Sequence, residues 1–309
     1  MRSKSPGPPR DGGIRVARIL IVGCGYVGAA AADLFHDAGW EVEGWIQSDK
    51  SAELLASKPY RTKRIDVSDR AKVTTYPVDF DRVIHCASTR GGDLDLYRSV
   101  YLAGARHLIE RFPMARLLFT SSTSVYAQKE EELVTEDALA EPPHETGRIL
   151  RETEEAVLAH GGIVARLAGI YGPGRSALLR KVLAGEIVLD PTNDRFVNQV
   201  HRDDIAAALF LLVNETVSAP RIYNVVDDSP MRQSECYGWL TQKMGRSAAV
   251  EGQPAGKRKR GVSNKRVSNA KLRALGWRPR YPSMIEGMEH SVLPATAHKS
   301  GVERGSLRP

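Results

Sequence analysis

The chain has 309 residues, 42% hydrophobic and 26% charged, the balance of an ordinary globular protein with room for one large domain or two joined ones. No run of about 18 apolar residues occurs, which excludes a membrane-spanning helix, and the opening MRSKSPGPPRDGG is basic without the apolar core of a secretory signal. The formal net charge of +7 draws attention to nucleic acid, but much of it lies in that opening and in GKRKRGVSNKR near residue 260, beside no helix-turn-helix, zinc or RNA-binding signature; nucleic acid is not expected as a partner.

Residues 1–15 and 291–309 read as disordered tails. Between them, the first signal is the apolar run Arg18–Val22, a strand, followed by Gly23, Gly25 and Gly28 and an alanine-rich helix ending near Gly39. A second strand, Glu41–Ile46, completes a β-α-β unit with G-x-G-x-x-G at the strand-to-helix turn. In such a turn Gly23 permits the tight bend and Gly25 lets main-chain N–H groups approach a pyrophosphate. Gly28 lets the helix pack closely on the strand, and the helix N-terminus favours the negative charge.

The alternation continues with a short strand in TKRIDVSD ending at Asp66 and another at Arg82–His85. A helix over roughly Leu94–Phe112 leads to the strand Arg116–Thr120, which empties into the hydroxyl-rich loop SSTSVYA. Pro142–Leu158 has a Pro-Pro entrance and an apolar stripe at Ile149, Leu150, Ala156 and Val157, so it reads as a helix. The strand GGIVARLAG follows. Repeated strand-helix-strand order predicts an α/β fold: a Rossmann-type doubly wound parallel sheet, with ligands at the carboxyl ends of its strands.

Past Tyr171 the pattern loosens into a turn and helix, an extended segment running into the apolar helix DDIAAALFLLV, a strand, an amphipathic helix, and a short helix closed by Gly276. The expected organisation is a dinucleotide-binding domain over 16–172, to which 196–226 adds late sheet elements. A smaller, interleaved C-terminal substrate region covers 173–195 and 227–290. His201, Asp203 and Asp204 sit at a helix start, where carboxylates act as caps, and no metal site is expected. Cys24, Cys86 and Cys236 are widely spaced and read as free buried thiols of a reducing cytoplasm.

Six blocks, GCGYVG, FTSSTSVYA, RLAGIYGPGR, VHRDDIAAAL, IYNVVDDSP and KRVSNAKLRALGW, stand in the order found in one family. The chain resembles the extended and atypical short-chain dehydrogenases/reductases, the NAD-dependent epimerase/dehydratase-like enzymes, over nearly all its length between the tails. The first block departs slightly, with Ile21-Val22-Gly23 where sugar-nucleotide epimerases usually carry Thr-Gly.

The resemblance implies that Gly23 to Gly28 hold the cofactor pyrophosphate, with the Tyr26 and Val27 backbone nearby, and that Asp66 and Val67 flank the adenine. It places Cys86, Ala87 and Ser88 under the ribose and Leu167 and Ala168 beside the nicotinamide. Ser122 would hydrogen-bond the reacting oxygen. Arg175 and Asn198 would meet a polar small-molecule substrate; beside them, Ser124 of the hydroxyl loop can bind a polar group of it, and Tyr126, at the end of that loop, suits a structural or pocket-wall role better than a chemical one. The cofactor is NAD or NADP: Gln47 and Ser48 end the second strand with Asp49 and Lys50 just beyond, and a phosphate-tolerant Ser48 and Lys50 tilt the reading to NADP.

One departure bears on chemistry. The family's Tyr-x-x-x-Lys pair falls on Thr146 and Leu150. A threonine hydroxyl does not ionise as a lysine-assisted phenol does, so the usual proton transfer cannot run unchanged. His144, two residues upstream, is the substitute whose titration range suits the task. The expectation is therefore a cytoplasmic oxidoreductase or epimerase-like enzyme with non-standard acid/base residues, a homodimer being an open possibility. Its alternative is a non-catalytic NAD(P)-binding sensor.

Overall fold

The computed structural model describes residues 16–89, 91–190, 192, 194–215, 221–246, 250–251 and 263–296. The apolar run Arg18–Val22 is strand β1, and the glycine turn after it opens α1 (Tyr26–Asp37). Then come β2 (Glu41–Ile46), α2 (Asp49–Leu55), β3 (Arg61–Arg64), α3 (Arg70–Thr74) and β4 (Arg82–His85). Helices α4 (Leu94–Arg98) and α5 (Gly104–Arg111) join through one π-helical turn, Ser99–Ala103. β5 (Arg116–Ser122) runs into a 3₁₀ turn, Thr123–Val125, and β6 (Glu132–Val134), α6 (Glu145–Ala159), β7 (Ile163–Leu167) and β8 (Gly169–Tyr171) follow.

The remainder comprises α7 (Ala177–Ala184), β9 (Val188–Leu189), β10 (Phe196–Val197), β11 (Gln199–His201), α8 (Arg202–Asn214) and β12 (Arg221–Val225). β13 (Met231–Arg232), α9 (Gln233–Lys243), β14 (Val250–Glu251), β15 (Lys265–Val267), α10 (Ala270–Ala274), α11 (Met284–Gly287) and a second π-helical turn, Met288–Val292, complete it.

Seven strands form one sheet in the order β12-β7-β5-β4-β1-β2-β3, every neighbouring pair parallel. Chain order reverses between β1 and β4, so the crevice at their carboxyl ends is the switch point where such sheets bind ligands. The central strands can be apolar throughout because helices cover both faces. Ile19 and Ile21 of β1 point into one layer with Phe35 of α1 and Leu209 and Leu212 of α8; Leu20 and Val22 point into the other with Trp45, Leu108, Phe119 and Ile149. A third cluster gathers Leu178 and Val182 of α7, Leu240 of α9, and Met284, Met288 and Val292.

The structure departs from the sequence expectations at element ends. α6 starts at Glu145, after the two prolines, with His144 as N-cap residue. Gly147 lies against the Pro142 ring, leaving no space for a Cβ. β3 stops at Arg64 rather than Asp66, although the Ile65 N–H still donates to the Ile46 carbonyl. The helix expected over 94–112 carries the π turn. Residues 291–296, read as the start of a tail, are helical instead: Val292 is 1% exposed and Ser291 hydrogen-bonds His201. Residues 1–15, 297–309 and the basic stretch 256–262 lie outside the described residues. Among the described residues no helix is long and apolar enough to cross a membrane.

Candidate functional site

The turn after β1 is built from backbone. The N–H groups of Gly23 and Cys24 both donate to the Trp45 carbonyl of β2, at 3.0 and 2.9 Å. Gly23 has φ +83°, and a Cβ there would overlap the Ala87 main chain beyond β4. A Cβ on Gly28 would stand 2.5 Å from the Gly23 carbonyl and 3.0 Å from Cys86 Sγ, whose thiol donates to that same carbonyl.

The three side chains of this turn lead elsewhere. Cys24 is buried against Gly44, Val27 joins the layer under α1, and the Tyr26 hydroxyl donates to the Pro173 carbonyl at 3.1 Å. The first N–H groups of the 12-residue α1 lack intrahelical partners and carry the positive end of its dipole. These residues fit a dinucleotide pyrophosphate.

At the far edge, the Gln47 carboxamide donates to Asp66 Oδ2 at 2.8 Å, and Asp66 Oδ1 accepts from the Ser68 amide and hydroxyl. Ser48 caps α2 by accepting from the Ser51 N–H, and Asp49 pairs with Arg64. Val67 is buried against Gly104, and its carbonyl lies 3.0 Å from His107 Nδ1. Ser88 is exposed just past β4.

Under the hydroxyl loop lies a buried polar network. In register, Ser121 and Ser122 of β5 face Arg166 and Leu167 of β7. Ser121 donates to Glu154 of α6 at 2.6 Å, and Arg166 grips the same carboxylate through two nitrogens at 3.0 and 2.6 Å, with Arg151 as a third partner. The Arg166 guanidinium lies 4.7 Å from the Tyr126 ring centroid, and the Tyr126 hydroxyl donates to Asn224 Oδ1 at 2.9 Å. Lys265 reaches the Tyr126 carbonyl at 3.0 Å and Ser263 at 2.9 Å; burial pulls its ammonium down to about 8.

Sequence reasoning missed this network. Its one available signal was a lone arginine inside the apolar strand GGIVARLAG, which a buried strand tolerates only when the charge is paired. Leu167 and Ala168 are buried at the carboxyl end of β7. Ser122 itself is half-buried and accepts the Ser124 N–H at 3.1 Å, which leaves its own proton available to a ligand.

Two of the residues expected to meet substrate have partners inside the protein. Tyr126 is 1% exposed with its hydroxyl engaged by Asn224. Asn198 donates to the Lys265 carbonyl and accepts from the Val267 N–H, bridging to β15.

Arg175 does stand at the mouth of the glycine turn, its guanidinium 5.3 Å from the Tyr26 ring centroid, with Arg202 at 5.1 Å. Burial raises the Tyr26 phenol to about 12, against the lowering pull of both arginines. On α6, which packs on β5 and the 3₁₀ turn, His144 is exposed and makes no capping bond. Thr146 is half-buried, and Leu150 is buried in the core.

His201, Asp203 and Ser291 look like a hydrolytic triad, with His201 Nε2 3.0 Å from Ser291 Oγ. The ring's Nδ1, however, accepts the Asp203 N–H at 3.2 Å, so the proton sits on Nε2 and points at the serine. That is the reverse of nucleophile activation. The histidine, rather than a carboxylate, is the cap of α8, and burial lowers it to about 4. Asp204 instead accepts the main-chain N–H groups of Arg280 and Tyr281, at 2.6 and 3.1 Å. Among the described residues no group of three or more His, Cys, Asp or Glu could hold a metal.

The sequence profile of the NAD dependent epimerase/dehydratase family matches residues 19–225. Among curated protein sequences none matches the chain. Among solved structures it is similar to a candidate NAD-dependent epimerase/dehydratase from Methylobacillus flagellatus, 27% identical, with a TM-score of 0.74 over 92% of this chain and 100% of that one. It shares its fold with a UDP-glucose 4-epimerase from Thermotoga maritima bound to UDP-glucose (17% identity, TM-score 0.78, 92% and 99% covered). The same holds for a UDP-glucose 4-epimerase from Thermus thermophilus in complex with NAD (21%, 0.75, 88% and 96%).

Proposed function

The chain belongs to the NAD dependent epimerase/dehydratase family, and from that membership we propose that it binds a nicotinamide dinucleotide across the β1–β4 crevice. It acts there as an oxidoreductase or epimerase-like enzyme on a polar small molecule. The observation that carries the reading is the glycine turn: Cys24 and Val27 are buried in the core and the Tyr26 hydroxyl is tied to Pro173, while the first amides of α1 have no partner within the helix and suit a pyrophosphate. A nucleotide- or phosphate-bearing substrate suits Arg175 at the mouth of that turn.

The nicotinamide, when bound, supplies or accepts hydride. Ser122, fixed by the Ser124 N–H, offers its hydroxyl proton to the oxygen at the reacting carbon. Thr146 can relay a proton but cannot hold the charge of a lysine-assisted phenolate, and the buried Leu150 contributes packing alone. Proton exchange with solvent then falls to His144, exposed at the entrance of α6. Cofactor choice leans to NADP, because a glutamine rather than a carboxylate follows β2.

Calorimetric titration with the oxidised and reduced forms of NAD and NADP tests the shared premise: saturable binding of at least one is expected, and binding of none overturns it. The Thr146 and Leu150 positions also favour a second reading, a cofactor-binding sensor without turnover. Following reduced-nicotinamide absorbance against a panel that includes UDP-glucose and UDP-glucuronic acid separates the two. Turnover that drops on Ser122→Ala or His144→Ala supports the enzyme, and binding with no turnover supports the sensor.

A further inference from the structure

We propose that this chain selects the 2′-phosphorylated cofactor, NADP(H), and that Arg64, exchanged from Asp49 to the phosphate, is the residue that reads it. The inference rests on the dinucleotide reading above and deepens it by naming the selective contact.

A free carboxylate at the tip of the second strand is what holds an unphosphorylated ribose diol. Here each carboxylate near that tip already has an internal partner. The residue after β2 is Gln47, and the two aspartates of this edge are already engaged. Asp66 takes the Gln47 carboxamide on one oxygen, at 2.8 Å, and the Ser68 amide and hydroxyl on the other, at 2.9 and 2.7 Å. Asp49 takes Arg64.

Positive charge is well placed. Arg64 pairs in register with Ile46, the residue just before Gln47, so its side chain leaves the sheet at the level of the β2 tip. Its guanidinium already reaches Asp49, the first residue of α2. Ser48 and Ser51 hold the start of that helix through two contacts, a hydroxyl–hydroxyl approach of 3.0 Å and the Ser51 N–H on Ser48 Oγ at 3.3 Å.

The Arg64–Asp49 pair is open to water on both sides, with 55% and 84% of the side chains exposed. Such a pair contributes little and exchanges readily. A phosphate offers the guanidinium two charge-assisted bonds and twice the charge. In the free protein Asp49 therefore acts as the internal anion that the 2′-phosphate displaces. With NAD no such exchange takes place, and Arg64 stays on Asp49.

The test is calorimetric titration of the full chain with NADPH, NADH, 2′,5′-ADP and 5′-ADP, in the wild type and in Arg64→Met and Asp49→Asn. Both variants change exposed side chains, and circular dichroism checks their folding. NADPH is expected to bind about ten- to a hundredfold more tightly than NADH, the range of one charge-assisted contact, with 2′,5′-ADP exceeding 5′-ADP in parallel.

Arg64→Met is expected to abolish most of that ratio through NADPH alone, leaving NADH unchanged, and Asp49→Asn to tighten NADPH. Equal or tighter NADH binding by the wild type, or a preference that survives in Arg64→Met, overturns the assignment while the dinucleotide reading stands. Binding of none of the four overturns both.

Discussion

Glu154 shows how much the candidate site depends on residues no ligand touches. The carboxylate is fully buried and receives Arg166, Arg151 and Ser121 at once, directly behind the Ser122 loop. Removing one partner from a buried ion pair leaves a charge that water cannot reach. Arg166→Met is expected to cost about 3 kcal/mol, the low end for such a break because Arg151 remains. The double variant Arg166→Met/Glu154→Leu should recover part of the loss; urea unfolding of the set measures both. At this scale the sequence was legible one residue at a time. Gln47 and Asp66 were each singled out, yet their contact joins positions 19 residues apart across neighbouring strand ends, and spacing carries no sign of it. Tyr126 was visible as part of a hydroxyl loop, but its burial is set by Arg166 and Asn224 from other strands.

Elements with long apolar runs could be read directly. β1 and β7 fall where their sequences place them, because a strand covered on both faces is apolar along most of its length. The parallel pairs β6–β15 and β8–β11 could not, since three residues hold too little pattern to declare a strand or its partner. The π turn between α4 and α5 was equally silent. Its effect is local and measurable: the Val100 carbonyl lies 3.1 Å from His85 Nε2, while the other ring nitrogen has no partner among the described residues. Burial lowers this imidazole from 6.5 to about 4, so the folded chain holds it neutral. Its stabilising contribution is complete above pH 6.5 and is lost as pH falls from there toward 4. His201 acts in the same direction, whereas Asp204, raised to about 6 by burial, acts in the opposite one, because its penalty is relieved as pH falls. His85→Leu isolates one component. Relative to the variant, the wild type should lose about 3 kcal/mol of stability between neutral pH and the acid end of that window, as read by denaturant titrations at successive pH values.

Over the whole molecule, the parallel sheet and its switch point followed from the alternation of strand and helix signals, while the junction with the C-terminal segment did not. That junction is Asp204 holding the Arg280 and Tyr281 amides, together with Trp277 donating to the Asp204 carbonyl. Beyond it Met284, Met288 and Val292 close the cluster that covers α7 and α9. A chain ending at Gly276 would lose all of these and expose Tyr171, Leu178 and Leu240. Such a truncation is expected to be recovered aggregated, and soluble monomer with native circular dichroism would contradict this account. The packing of α1 on α8 also has a consequence during synthesis. The first helix made is the one whose cover arrives late: Phe35 waits for Leu209 and Leu212 to leave the ribosome. At roughly 5–20 residues per second that interval is about 10–35 s, during which the nascent β1–α1–β2 unit presents a greasy flank to any chaperone stationed at the exit tunnel.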